Sequence, residues 1–243
     1  MTFKDLINQV LIRLREDAIS VDWSGDINSS SEITEYQKLI AALVNDSKSF
    51  VESKHDWTAL KKEWYLSWNT IKNTMELSGI GPEMRVLDFV NIEDGTVLEQ
   101  ISRKDLNKIR IPAAQGISYT GNLLSYFYDW DGPVGKPTHY YFEDINASDG
   151  DVRVTINPAP KSGDGASFVI DYISPQAELI NSSDVVSVPH RAVMLGAWAR
   201  AISERGEDGG TQNGVVAAEA LDALNQAIIL DQGHSEMEID WYV

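Results

Sequence analysis

The chain has 243 residues with 43% apolar and 23% charged content, enough apolar mass for a sizeable core and too little charge for wholesale disorder. Its formal net charge is -17, and residues 163–243 alone carry three basic against thirteen acidic side chains, a net of -10, so a grip on the nucleic acid backbone is excluded as a main activity. It contains no cysteine, which removes disulfides, thiol catalysis and zinc–thiolate sites and fits folding in a reducing cytoplasm.

No run of about 18 apolar residues is present, so no membrane-spanning helix is expected. The start, Met1-Thr2-Phe3-Lys4-Asp5, lacks the basic stretch, apolar stretch and small-residue site of a secretion signal.

In chain order, Phe3, Leu6, Ile7, Val10, Leu11 and Leu14 recur at helical spacing behind Thr2, a plausible N-cap. The polar, Gly-containing stretch 20–31 predicts a loop. A second helix is expected from about Glu32 to about His55, with Ile33, Tyr36, Ile40, Leu43, Val44, Phe50 and Val51 as its stripe and one of Ser29, Ser30 or Ser31 as its cap. Beyond Asp56-Trp57 the period changes. Leu60, Lys62, Trp64, Leu66 and Trp68 share one strand face, with Lys61, Glu63 and Tyr65 on the other. Residues 69–73 predict a turn, with 74–78 pairing back on that strand. Further strands are expected at 84–92, 96–101, 139–143, 151–157 and 167–173, and a short helix at 102–109 with Ser102 capping and Asp105 at its third position.

Residues 111–134 form a long aromatic segment with Tyr119, Tyr126, Phe127, Tyr128 and Trp130. It reads as a hairpin packed on the sheet or as an arm that orders against a neighbouring subunit. The last third is helical. Pro189 sits at a helix start, Val193, Ala197, Trp198 and Ala201 form a stripe, and Gly206 ends the helix. An alanine-rich helix over 215–232, with Ala217, Leu221, Leu224 and Ile228 on one face, is expected to stop at Gly233. The tail 233–243 carries Met237, Ile239, Trp241, Tyr242 and Val243, a set costly to leave in water; it either folds back on its own domain or docks into a partner.

Helices, then strands, then helices predict an α+β fold. The expected organisation is a helical bundle of 1–58 and 185–232, a central antiparallel β domain of 59–184 with the aromatic insertion at about 111–134, and a C-terminal tail of 233–243.

Chemistry is sparse. His55, His139, His190 and His234 share no metal-ligand spacing and read as ordinary surface or loop histidines. No phosphate-cradling loop, nucleophile elbow or dinucleotide fingerprint occurs. Asp149-Gly150-Asp151 and Glu207-Asp208-Gly209-Gly210 lack EF-hand spacing and read as turns. The best acidic–aromatic cluster, Asp129-Trp130-Asp131 near Tyr126 and Tyr128, leaves a glycan-binding or glycan-cleaving module as an alternative function. No cofactor, metal site or catalytic residue is expected.

The order of motifs resembles the head-to-tail adaptor, or connector, proteins of short-tailed phages. The resemblance covers nearly the whole chain. It is carried by the helix around Leu6–Arg15, the end of the second helix at His55-Asp56-Trp57-Thr58-Ala59-Leu60, the segment Leu98-Glu99-Gln100-Ile101-Ser102-Arg103-Lys104-Asp105-Leu106, the element Gly135-Lys136-Pro137-Thr138-His139-Tyr140-Tyr141-Phe142, the strand end Asn157-Pro158-Ala159-Pro160, Asp171-Tyr172-Ile173, and Val188-Pro189-His190-Arg191. The chain departs from the pattern at Gly81-Pro82-Glu83-Met84, where leucine–proline–aspartate is expected, and in the aromatic segment 111–134. The resemblance implies a structural, non-enzymatic virion protein assembled in the host cytoplasm. It implies a homo-oligomeric ring of twelve copies beneath the portal, helices toward the portal and the β region toward the tail or nozzle protein. DNA would pass the lumen without specific binding, and the acidic excess would keep it from sticking. A later tail-tube or stopper ring is the alternative virion role. A C-terminal extension that engages the portal is part of the pattern, which assigns docking to Met237, Ile239, Trp241, Tyr242 and Val243. Tyr126, Phe127, Tyr128 and Trp130 are the expected inter-subunit or tail contacts.

Overall fold

A computed structural model describes residues 1–67, 74–77, 84–105, 135–146, 151–159, 167–206 and 211–235. The chain divides into two compact units, one of Met1–Leu60 with Pro175–Val243, the other of Lys61–Ser174. Helices at both ends and a central, mainly antiparallel sheet region give the expected α+β class.

The first unit is built on four helices: α1 (Phe3–Arg13), α2 (Glu35–Glu52), α3 (His190–Arg205) and α4 (Thr211–Ser235). Helix α1 starts where Thr2 and Asp5 cap each other, Thr2 Oγ1 accepting the Asp5 N–H and Asp5 accepting the Thr2 N–H, both at 3.2 Å. Its stripe Phe3, Leu6, Ile7, Val10 and Leu11 is wholly buried. It ends before Arg15, whose φ of 59° no helix continues. Helix α2 begins three residues later than expected. Thr34, not a serine of 29–31, is its cap, because Gln37 completes the reciprocal pair with it. The stretch 20–31 is a loop that holds one short 3₁₀ turn, Ile27–Ser29, with Ile27 buried.

Helix α3 is buried nearly all round, with Ala192, Val193, Met194, Leu195, Ala197, Ala199, Ala201 and Ile202 all inside, so the expected four-residue stripe understates it. Gly206 ends it in the left-handed conformation, φ 63°, its N–H closing on the Ile202 carbonyl at 3.1 Å. Arg205 ties that end to the other helices. It donates to Tyr36 Oη at 2.6 Å and to the Leu14 carbonyl at 3.2 Å, and it pairs with Glu16. Helix α4 runs through Gly233 to Ser235, correcting the expected stop; glycine disfavours a helix without forbidding it. Its buried residues are Val216, Ala223 and Leu224, while Leu221, expected on that face, is 52% exposed.

The β unit contains β1 (Lys61–Ser67), β2 (Thr74–Leu77), β3 (Arg85–Asn91), β4 (Thr96–Val97), β5 (Glu99–Gln100), β6 (His139–Asn146), β7 (Asp151–Asn157) and β8 (Ser167–Ile173). They form two four-stranded sheets, β1-β8-β3-β4 and β2-β7-β6-β5. All pairings are antiparallel except the two-residue β5–β6 match. The expected return of residues 74–78 onto β1 is not made: β2 pairs with β7 in the other sheet. The expected strand 96–101 is two short strands, one per sheet. The chain crosses between them at Leu98, which is buried and donates to the Phe89 carbonyl at 2.7 Å.

Period-two alternation explains the core. Leu66, Phe89, Phe168, Ile170 and Tyr172 from one sheet meet Tyr140, Val152, Val154 and Ile156 from the other. Phe89 packs edge-on to Phe168 at 5.6 Å and tilted on Tyr140 at 4.9 Å.

Candidate interaction surfaces

Three features of the described residues stand apart from routine packing. The first is a groove in the helical unit, about 240 Å³, bounded by α2, α3 and α4. Its lining is small and apolar: Ala192, Gly196 and Ala199 from α3, Ala217, Ala220, Leu221 and Leu224 from α4, Val51 from α2. Alanine and glycine keep the helices close, and Ser47 Oγ lies where a Cβ on Gly196 would sit, at 2.4 Å. Ser47 is buried and its hydroxyl has no partner. At the rim, Phe50 is 38% exposed and faces two cations, Lys54 Nζ at 4.8 Å and Arg200 Cζ at 5.5 Å from its ring centre.

The second feature is the outer side of α4, where Val215, Ile229 and Leu230 are 58%, 67% and 68% exposed. Scattered exposed apolar side chains are ordinary, but a terminal helix that presents them over several turns is suited to a protein partner.

The third lies in the β unit. Glu63, Asp171 and Asp88 stand side by side on β1, β8 and β3, Asp171 facing both neighbours in register. Like charges directly opposite repel. Burial, with the charges of Glu63 and Asp88 added, pushes the Asp171 carboxyl above the ordinary aspartate range, and its Oδ1 has no partner.

A polar clamp, missed by the sequence reading, holds the helical unit together. Asn45, Lys48 and Glu52 of α2 are buried. Asn45 exchanges two hydrogen bonds with the backbone of Leu179, at 3.0 and 3.1 Å. Lys48 Nζ pairs with Glu52 at 3.2 Å and donates to the carbonyls of Gln176 at 2.6 Å and Ala177 at 3.3 Å. Glu52 in turn accepts the Gln176 N–H at 3.3 Å. The extended segment 175–188, which has no helical partner groups of its own, is satisfied this way. The signal available was three polar residues at positions i, i+3 and i+7, on the face that Val44 and Val51 also bury.

The histidines are not uniform. His55, expected to be an ordinary surface residue, bonds Asp231 of α4 at 3.0 Å and stacks edge-on to Trp57 at 4.9 Å. Asp231 also accepts the Thr58 N–H at 3.0 Å, so one carboxylate fixes the end of α4 beside the end of α2. His139 approaches Thr138 Oγ1 at 2.8 Å. The aspartate–tryptophan motif has a packing reason: Trp57 is buried and its Nε1 donates to the Val51 carbonyl at 2.8 Å. Two segments that carry the resemblance, the one starting at Gly135 and the strand end at Asn157, touch each other, with Gly135 N–H on the Ala159 carbonyl at 2.8 Å and Thr138 N–H on the Asn157 carbonyl at 3.1 Å.

Met237, Ile239, Trp241, Tyr242 and Val243 lie outside the described residues, as do Tyr126, Phe127, Tyr128 and Trp130 of the aromatic segment. The turn at 69–73, Trp68, the Gly79–Pro82 break and the 207–210 turn do so too. Among the described residues no group of three or more His, Asp or Glu side chains is placed to hold a metal, and no helix is long and apolar enough to cross a membrane.

The prominent surfaces among the described residues are thus an apolar groove and an outward apolar helix. The family model described as SU10 adaptor protein matches residues 1–239, and the chain belongs to that family, one of phage head–tail adaptors. It is thus a structural phage adaptor, a class that implies a virion component in contact with portal and tail proteins. No curated protein matches the chain.

Proposed function

We propose that this adaptor is one subunit of a homo-oligomeric ring, of twelve copies, that sits beneath the portal of a short-tailed phage and joins the capsid to the tail while DNA passes through. The observation that carries the reading is the family match over residues 1–239. The outward apolar residues of α4 support it, since such surface is stabilised by burial against a neighbour at about 25 cal/mol per Å². The net charge of -17 supports the passage of DNA without retention. Portal docking is assigned to Met237, Ile239, Trp241, Tyr242 and Val243, and neighbour or tail contact to Tyr126, Phe127, Tyr128 and Trp130. The helical part, 1–58 with 185–232, serves the portal side, and the β part, 59–184 with its 111–134 insertion, serves the tail side. No turnover is part of this role.

Native mass measurement with and without portal tests it. The expected result is a ring or a portal-dependent assembly, lost when residues 236–243 are deleted. A monomer indifferent to portal at high concentration would overturn the reading. A later tail ring would instead co-purify with a nozzle protein and ignore portal.

A further inference from the structure

The groove of the helical unit has the character of a half-built interface. Ser47 is buried with an unpartnered hydroxyl at its base, a condition native proteins rarely leave unmet. Lys54 and Arg200 at its rim both lie over the Phe50 ring; among the described residues neither forms an ion pair, although acidic residues outnumber basic ones by 37 to 20 in the chain. An apolar floor with two uncommitted cations at its edge fits a segment that is apolar on one side and acidic on the other.

The chain carries such a segment. Glu236, Glu238 and Asp240 alternate with Met237, Ile239 and Trp241. Extended, this places carboxylates on one side and large apolar groups on the other. The geometry also allows it to arrive. The Asp231 bonds to His55 and Thr58 hold the end of α4 next to Lys54. Leu221 lies 14 positions before Ser235, about 21 Å back along the helix. Eight extended residues, 236–243, span roughly 26 Å. Leu221 and Ile228, seven apart, share a row on α4 that leads from its end to the groove.

We propose that in the free subunit residues 236–243 fold back along α4 and occupy this groove of their own chain, with Trp241 or Ile239 inside and carboxylates toward Lys54 and Arg200. The segment then has a resting place before any partner is met, and subunits do not associate prematurely through an exposed greasy tail. This goes beyond the portal-docking reading and does not depend on it.

Because the chain contains no cysteine, disulfide trapping reports the contact cleanly. The full-length Leu221→Cys/Tyr242→Cys variant is oxidised mildly, at low concentration and without portal. An intrachain disulfide in monomeric protein is expected, at least fivefold more abundant than in Gln226→Cys/Tyr242→Cys, whose helix position is exposed, within the tail's reach and turned away from the groove. Adding Lys54→Glu and Arg200→Glu to the first variant is expected to cut the yield several-fold, with unchanged circular dichroism as the check on folding. Equal yields at Leu221 and Gln226 would overturn the proposal, and so would a product that is exclusively interchain, which would assign the groove to a neighbour's tail. Loss of portal binding with the trap intact would sink the docking role alone.

Discussion

Lys48 and Asp171 carry charge where the surroundings resist it, and they resolve the conflict differently. Lys48 is buried against Glu52, but its ammonium also donates to two carbonyls, so the pair is embedded in the clamp on segment 175–188. Replacing Lys48 by Met leaves Glu52 charged and buried, at a cost of about 3–5 kcal/mol. Lys48→Met/Glu52→Leu is expected to recover only part of that, because the Gln176 and Ala177 carbonyls lose the Lys48 donor in both variants and the Gln176 N–H loses Glu52 in the double one. Urea unfolding of the helical unit checks both, and full recovery in the double variant would show that the clamp's hydrogen bonds contribute little. Asp171 has no such rescue. Its folded pKa lies above the ordinary 3.8, so between the two values the folded chain binds more protons than the unfolded one. Stability from this group therefore rises as pH falls through the folded pKa, and stops rising below the unfolded one. Asp171→Asn is expected to raise the unfolding free energy of the β unit at pH 7 by up to about 1 kcal/mol, seen as a higher urea midpoint, with the gap closing as pH falls. An unchanged or lowered midpoint at pH 7 would show that the neighbouring carboxylates are too well solvated to matter. Asp5 and Asp184 act in the opposite sense, since hydrogen bonds, from Thr2 to Asp5 and from the Asn181 and Ile180 N–H groups to Asp184, hold both carboxyls below the usual range. Their contribution is present at neutral pH and fades as pH drops through those lowered values.

At the scale of elements, close packing between α2 and α3 rests on one glycine. A methyl at Gly196 would meet Ser47 Oγ at 2.4 Å, and Ser47 is too buried to turn its hydroxyl to water. Gly196→Ala is expected to destabilise the helical unit by about 1–3 kcal/mol, whatever it gains in helix propensity. Ser47→Ala alone should be neutral or mildly stabilising, since it deletes an unpartnered hydroxyl. The pair together should recover most of the loss, and simple additivity in thermal unfolding would disprove the contact. Elements were legible in the sequence to the extent that their periodicity was local. Helix α1 and its Thr2 cap, the alternation of Val152, Val154 and Ile156, and the Gly206 stop all follow from neighbours within a few positions. What failed was non-local. The partner of β2 lies in the other sheet, and a two-sheet arrangement leaves no mark on the turn that precedes it. Leu98 reads as one apolar residue in a strand, but it is where the chain changes sheets. The burial of Lys48 and Glu52 stayed outside the reading because their partners are backbone groups more than 120 positions away. The groove was half visible: alanine in α4 announced close approach, but not which helices would leave a gap.

Over the whole molecule, charge sets the terms of assembly. In the ring proposed above, subunits of net charge -17 would crowd like charges, and the repulsion between them decays over a Debye length, roughly 30 Å at 10 mM salt and 8 Å at 150 mM. The attraction that opposes it comes from apolar surface such as Ile229 and Leu230, and burial of that surface is not screened by salt. The two effects therefore separate experimentally. Sedimentation velocity of the isolated adaptor at a fixed concentration should show self-association strengthening as sodium chloride is raised from 10 to 300 mM. Ile229→Ser/Leu230→Ser should abolish the faster species at every salt concentration and leave the monomer folded, since both side chains are about two-thirds exposed. Association that weakens with salt would mean that ion pairs between subunits dominate, and the apolar side of α4 would lose its place as the adhesive face. Association that persists in the double variant would move that face elsewhere on the chain while leaving the salt argument intact. Where association strengthens with salt, the acidic excess acts as a threshold: it holds free subunits apart until a partner, or enough screening, brings the apolar surfaces within range of each other.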